Sequence, residues 1–308
     1  MKKLIGLAVV SFTLVSTFPL LAGTSSPIIE TAPSDGSGDV PLNVIRAEVT
    51  QTFQSDFEEG HGFKEDEKSN NNTNTWHYKL EAAHRFQLRD QWYFRFGLDA
   101  SRYDFGNNRS IAPNTLQSYA AVFALEYFKK GTTAFYIETR PGVYMAHDLR
   151  GDAFDAPTDL GFLYPLVDDK FYFVGGVTFS ILREYPVLPV AGIAWVINDQ
   201  WLLKAYAPSP KLVYTPNDDW QWWAGGEITG GAFRNDTRSG RGEEVSGTEV
   251  QYYELRAGGG FKYSGWKIAD IEVAAGWAFE RVFDFYNADV KQETEGAPYV
   301  KIAMGKVF

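Results

Sequence analysis

Four histidines and no cysteine bound the nucleophilic and metal chemistry open to this chain. His147 stands beside Asp148 and close to Asp152 and Asp155, and a histidine among carboxylates can serve as a general base. The plainer reading of that run is a solvated acidic loop. Membrane barrels that process lipid pair a serine with a histidine, but none of His61, His77, His84 and His147 stands in a His-x-Ser arrangement. The missing cysteine excludes a disulfide framework, a thiolate metal site and a lipid-modified N-terminal Cys. Glu58-Glu59 and Glu65-Asp66-Glu67 offer carboxylate oxygens to hard cations shared with lipopolysaccharide, without any fixed ligand spacing. The expectation is a protein without cofactor or catalytic constellation, with an outer-membrane hydrolase kept as a remote alternative.

A second set of charges is more regular. Arg46, Glu48, Lys79, Glu81, Arg85, Arg95, Asp99, Glu126, Glu138, Arg140, Lys204, Glu227, Glu254, Arg256, Asp270, Glu272, Glu280 and Lys301 alternate with apolar residues. Side chains alternate faces along a strand, so these charges share one face and the apolar residues the other. Mixed signs on an inward face fit a hydrated lumen closed by cross-strand pairs. The sharper reading is a conductive pore with an internal selectivity ring, weakly cation-preferring because acids slightly outnumber bases, but the paired lumen carries more weight because paired charges can bridge and close it.

The elements that hold these charges are period-2 stretches of roughly ten residues. Trp76, Tyr78, Leu80, Ala82, His84 and Phe86 share one face, with His77, Lys79, Glu81, Ala83 and Arg85 on the other. Trp92, Phe94, Phe96, Leu98 and Ala100 repeat the pattern. Tight connections at Arg89–Gln91, Lys129–Gly131, Asp168–Lys170, Asn198–Gln200, Asn217–Asp219 and Ser264-Gly265 alternate with long polar ones near 57–72, 104–116, 146–158, 234–247 and 286–297. Short turns on one side and long loops on the other describe an up-and-down antiparallel transmembrane β-barrel. Trp92, Phe171, Trp201 and Trp220 each follow a tight turn, which puts them at one height as a membrane-interface girdle. The count is about fourteen strands, or about twelve if Pro208, Pro210 and Pro216 prevent pairing over 201–216. A soluble β-sandwich also alternates, but its apolar face is Val, Ile and Leu rather than Trp, Phe, Tyr, Ala and Gly. The pairs Gly175-Gly176 and Gly225-Gly226 and the run Gly258-Gly259-Gly260 lie inside strands and mark bends or room for bulky neighbours.

Lys2-Lys3, an apolar stretch from Leu4 to Leu21 and the small pair Ala22-Gly23 form a signal-peptide pattern over 1–22. Residues 23–42, rich in Pro, Gly, Ser and Asp, read as a flexible periplasmic lead-in, and 43–308 as the barrel. Without Lys2 and Lys3 the formal charge of −10 over 308 residues becomes −12, which excludes nucleic acid as a partner. The last strand ends on Phe308, a terminal aromatic suited to the barrel-insertion machinery. Outer-membrane lipid and lipopolysaccharide are the other expected partners, in a Gram-negative-type outer membrane.

Val187-Leu-Pro-Val-Ala-Gly-Ile-Ala-Trp195, with Trp201, Pro208-Ser-Pro210, Tyr214, Trp220 and Gly225-Gly226, resembles a family of uncharacterised outer-membrane barrels carrying a domain of unknown function. The resemblance implies barrel fold and membrane location, and no substrate, cofactor or catalytic residue. From size and polar inner face the expected role is a passive channel for small hydrophilic solutes. The alternative is a closed structural or adhesive barrel whose outer loops contact ligands.

Overall fold

The computed structural model describes residues 42–58, 73–107, 110–129, 131–168, 170–237 and 243–307. The signal segment, nearly all of the lead-in, His61, the acidic runs from Glu59 to Glu67 and Phe308 lie outside them.

Fourteen antiparallel strands close on themselves. They are β1 (Asn43–Ser55, resumed at Phe57–Glu58), β2 (Thr73–Arg89), β3 (Trp92–Asp104), β4 (Thr115–Tyr127) and β5 (Ala134–Thr139, then Gly142–Met145). There follow β6 (Phe154–Asp155, then Thr158–Val167), β7 (Phe171–Phe179), β8 (Val187–Asn198), β9 (Trp201–Tyr206) and β10 (Lys211–Asn217). The last four are β11 (Trp220–Arg234), β12 (Glu249–Tyr263), β13 (Asp270–Phe285) and β14 (Val290–Thr294, then Ala297–Val307). Closure comes from β1 and β14, paired from Val44↔Val307 to Thr52↔Tyr299. No sheet edge is left along that seam, as a membrane demands of backbone amides and carbonyls.

Alternation decides which side chain meets lipid. Leu80, Leu98, Phe123, Trp195, Trp222 and Ile302 stand exposed on the outer wall. The tight-turn aromatics anchor clusters at the short-turn end. Trp92 packs on Tyr127 and Phe135 at 5.3 and 5.1 Å, Trp201 on Tyr214 at 4.6 Å, and Trp220 on Tyr263 at 4.8 Å. Phe171 lies 6.4 Å from Trp195. The cross-strand partner therefore extends the girdle in each case.

Two features depart from the regular pattern. Pro208 and Pro210 do not abolish the β9–β10 hairpin but shorten it to 6 and 7 residues. On its β9 side, β8 is paired from Gly192↔Tyr206 downward. On its β10 side, β11 is paired up to Lys211↔Gly225, and the amides of Gly226 and Ile228 add bonds to the carbonyls of Pro210 and Pro208. Above the hairpin, residues 187–191 of β8 and 229–233 of β11 have no ladder partner on the hairpin side, which leaves a notch in the hydrogen-bonded wall. The second departure is a bulge in β13, where the partners of Leu255 and Arg256 are Glu280 and Ala278, leaving Phe279 unpaired. The segment 286–297, expected to be a loop, holds the upper piece of β14, paired with β13 and with Phe57–Glu58.

Candidate functional site

The lumen is filled in layers. At the long-loop end Tyr103, Phe105, Ile111, Leu116, Phe233, Val250, Tyr252, Phe283 and Phe285 form an inward apolar cluster, each between 0% and 3% exposed. Phe105 stands between Tyr252 at 5.0 Å and Phe283 at 4.8 Å in edge-to-face contacts. Such rings bury large areas, and truncating one costs about 3–5 kcal/mol. The β5–β6 connection reaches across this end. Ala146 donates its amide to the Arg234 carbonyl on β11, the amides of His147 and Asp148 bond Asp236, and Arg150 bonds Thr237. Among the described residues the ring cluster and these loop contacts lie together at the long-loop end.

Below lies a buried ion lattice on the β2–β5 wall. Arg85 bonds Glu126 at 2.5 Å, Arg95 bonds the same carboxylate at 2.9 Å and also Glu138, and Arg140 bonds Glu138 at 2.6 Å and Asp99 at 3.3 Å. Glu81 joins at 3.5 Å from Arg95. On the opposite wall Arg256 is forked on Glu254 at 2.9 and 3.0 Å, and Glu254 also accepts from Thr52 and Tyr252. Fork geometry and extra donors are what make buried charges tolerable.

Between these walls remains a chamber of about 430 Å³. Arg46 bridges Glu48 at 3.2 Å and Glu272 at 3.3 Å along one side, and Lys301 stands 3.6 Å from Glu227 and 3.7 Å from Glu272. Lys79 and Lys204 line it, and at its short-turn end Asp270 takes Lys262 at 3.0 Å and Lys306 at 3.2 Å. Pro208, Ser209, Ile228, Thr229 and Gly230 also line it, so the chamber reaches the wall notch. The glycines inside the strands make the space. A Cβ on Gly258 would stand 2.6 Å from the Tyr299 hydroxyl, and one on Gly260 2.7 Å from the Ala274 Cβ. The Tyr299 ring therefore lies against glycine backbone, with the Arg256 guanidinium 5.3 Å from its centre.

No family model matches the chain, and no curated protein matches it. Solved structures do. An outer-membrane channel from Pseudomonas putida F1 superposes with a TM-score of 0.50 at 12% identity, covering 90% of this chain and 99% of that one. The Pseudomonas putida toluene transporter TodX gives 0.47 at 12% identity over 92% and 94%. LpxR from Salmonella typhimurium gives 0.38 at 9% identity over 85% and 100%. The fold is that of outer-membrane β-barrels. The family resemblance read over 187–226 holds at that level and no finer.

The sequence-predicted charges fall into the assemblies above with one correction. Glu280 does not face the lumen. The bulge at Phe279 reverses the parity of β13, and Glu280 pairs with the outward Leu255. Arg281 takes the inward place, bonded to Thr294 at 3.0 Å and to Thr75. The histidine-carboxylate run is dispersed as well. Asp155 is buried and accepts from Ser180 and the amides of Ala156 and Ile181, Asp152 pairs with Arg150 and Arg234, and His147 is exposed. His84 meets Asn43 at 2.8 Å on the outer wall, while His77 is buried beside the chamber, stacked on Tyr103 at 4.0 Å. Sequence reasoning passed over Trp223, Lys211 and Lys262, all chamber-lining. The signal is present in the inward parity of Trp223 and Lys211, but tryptophan is a residue type of the membrane interface and Lys211 sits among prolines.

Proposed function

We propose that this chain is an outer-membrane transport barrel that admits small amphipathic solutes from the side. The single observation behind this reading is the notch above the β9–β10 hairpin, which the chamber reaches while the axial opening above it is packed with aromatic rings. An open aqueous channel for hydrophilic solutes needs a continuous polar passage. The rings of Phe105, Tyr252 and Phe283 stand where it would run. A side opening faces the lipid, where amphipathic solutes collect by the hydrophobic effect. The chamber volume lies at the small end of the range for ligand pockets.

The reading is tested by uptake of the fluorophore N-phenylnaphthylamine, which lipopolysaccharide retards, into intact Gram-negative cells displaying the folded barrel. Expression is expected to raise the uptake rate, and Ser209→Trp, at the lip of the notch, to return it to background. Uptake equal in wild type and Ser209→Trp contradicts a side route. A second reading, a closed structural barrel, is favoured by the roofing contacts of Arg150 and Arg234. It predicts no uptake from either protein.

A further inference from the structure

We infer that residues 180–186, the connection from β7 to β8, lie in the outer leaflet, so that the partner of this end of the wall is the acyl-chain surface of the membrane rather than water. The inference goes beyond the side-entry reading and rests on the lipid-facing wall alone. Odd-numbered residues of β7 and β8 point outward: Phe171 pairs with Trp195, Phe173 with Ile193 and Phe179 with Val187, while Val174 and Ala194 are buried inside. From Phe171 to Phe179 and from Val187 to Ile197 no outward place holds a charge, a hydroxyl or an amide side chain. The row does not stop with the strands. Ile181 and Tyr185 stand 59% and 51% exposed, two residues beyond the exposed Phe179 and two before the exposed Val187. An exposed apolar patch continuous with a membrane face belongs to that face.

The strand β3 gives the comparison. Its outward row runs from Trp92 through Phe96 and Leu98 to Arg102, which pairs with Asp104 at 3.8 Å and so marks where water begins. Arg102 is the tenth residue after Trp92, and the tenth after Phe171 is Ile181. Ten residues rise about 33 Å along a strand, or about 25 Å across a bilayer at the tilt usual in such barrels, which is the height of an outer apolar band. The tip thus reaches the far boundary of that band, a level that suits the amphipathic ring of Tyr185. Phe105, Ile111 and Val245 of other outer connections turn inward instead.

The backbone of the tip supplies a second, independent sign. Lipid offers amides and carbonyls no partner, so an embedded loop must satisfy them within the protein. The Ser180 amide donates to the Pro186 carbonyl at 3.0 Å, the Ile181 amide donates to Asp155 Oδ1 at 3.0 Å, and the Leu182 carbonyl accepts from the Tyr286 hydroxyl at 3.2 Å. Pro186 has no amide to satisfy. Neither charge of the tip joins the outward row. Arg183 is buried, lines the chamber and bonds Thr178 at 2.9 Å, and Glu184 lies close enough to Asp284 of β13 for their charges to act on each other.

A nitrobenzoxadiazole label at single cysteines tests this, because the chain has no cysteine of its own. Ile181→Cys and Tyr185→Cys are compared with Val177→Cys in the wall and with Leu149→Cys, a 70% exposed site on the β5–β6 connection, each folded into phosphatidylcholine vesicles. Quenching by a nitroxide carried on a lipid chain reports contact with acyl chains. Quenching by iodide, present on both sides of the vesicle, reports contact with water. Both tip sites are expected to follow Val177, with strong nitroxide quenching. Their iodide quenching should be at least about fivefold weaker than at Leu149, because an anion is excluded from hydrocarbon. Should one tip variant not fold, the other carries the test. Iodide quenching at a tip site equal to that at Leu149, or no quenching there by the nitroxide lipid, overturns the inference. Fluorophore uptake that Ser209→Trp still blocks then leaves the side route standing, so the two readings fail separately.

Discussion

Replacing Glu126 by Gln tests whether the ion lattice holds the β2–β5 wall. The Glu126 side chain is 0% exposed and accepts Arg85 Nε at 2.5 Å, Arg85 Nη2 at 3.4 Å and Arg95 Nε at 2.9 Å. The amide keeps the shape and removes the charge. Arg95 retains Glu138 and Glu81, whereas Arg85 loses the carboxylate that it shares with Arg95. Breaking a buried ion pair by removing the charge of one partner costs about 3–5 kcal/mol. With a urea slope of about 1–3 kcal/mol per molar, the unfolding midpoint in lipid vesicles should fall by at least about 1 M. Adding Arg85→Met removes the guanidinium that has lost its carboxylate and should recover part of the loss, with a coupling of about 1–3 kcal/mol in the double-mutant cycle. Unfolding followed by tryptophan fluorescence and by gel mobility of the unheated protein reads both. A loss within about 1 kcal/mol, as for an exposed pair, would refute the argument that this lattice is desolvated and structural.

The bulge in β13 makes a paired prediction. Arg281→Met should destabilise by about 2 kcal/mol or more, since Thr75 and Thr294 lose their partner inside the wall, while Glu280→Gln should stay within about 1 kcal/mol in the same urea assay. Phe105→Ala should cost about 3–5 kcal/mol by the same measurement, because it removes the ring between Tyr252 and Phe283. Gly258→Val should cost at least about 1–3 kcal/mol, because its Cβ would stand 2.4 Å from the Ala275 carbonyl oxygen and 2.6 Å from the Tyr299 hydroxyl; refolding yield and midpoint check it.

The strands and the closed barrel were legible because period-2 alternation and turn chemistry agree along most of the chain. Trp92, Trp201 and Trp220 mark the short-turn rim for the same reason: each follows a tight turn, and Asn198 and Asn217 accept from the amides of Trp201 and Trp220 at the strand starts. The filled outer end was not legible. Tyr103, Phe105, Tyr252 and Phe283 belong to residue types that serve the lipid face equally well, so the two faces lose their contrast there. Nor does periodicity announce a bulge. One extra residue at Phe279 exchanged Glu280 for Arg281, and a parity argument without the partner strand has no means of detecting that slip. The notch was hidden behind a correct observation. Pro208 and Pro210 predict weak pairing over 201–216, and their consequence is a hairpin of only 6 and 7 residues beside longer neighbours.

A solute that enters the chamber through the side of the wall needs no open axis. The most direct test is single-channel recording of the wild-type barrel in planar bilayers, with folded protein recovered and quantified from the same membranes. The account predicts no ohmic steps above background under an applied potential, since Phe105, Tyr252 and Phe283 fill the axis. Stable ohmic steps scaling with the amount of folded protein would contradict it and would restore an open aqueous pore.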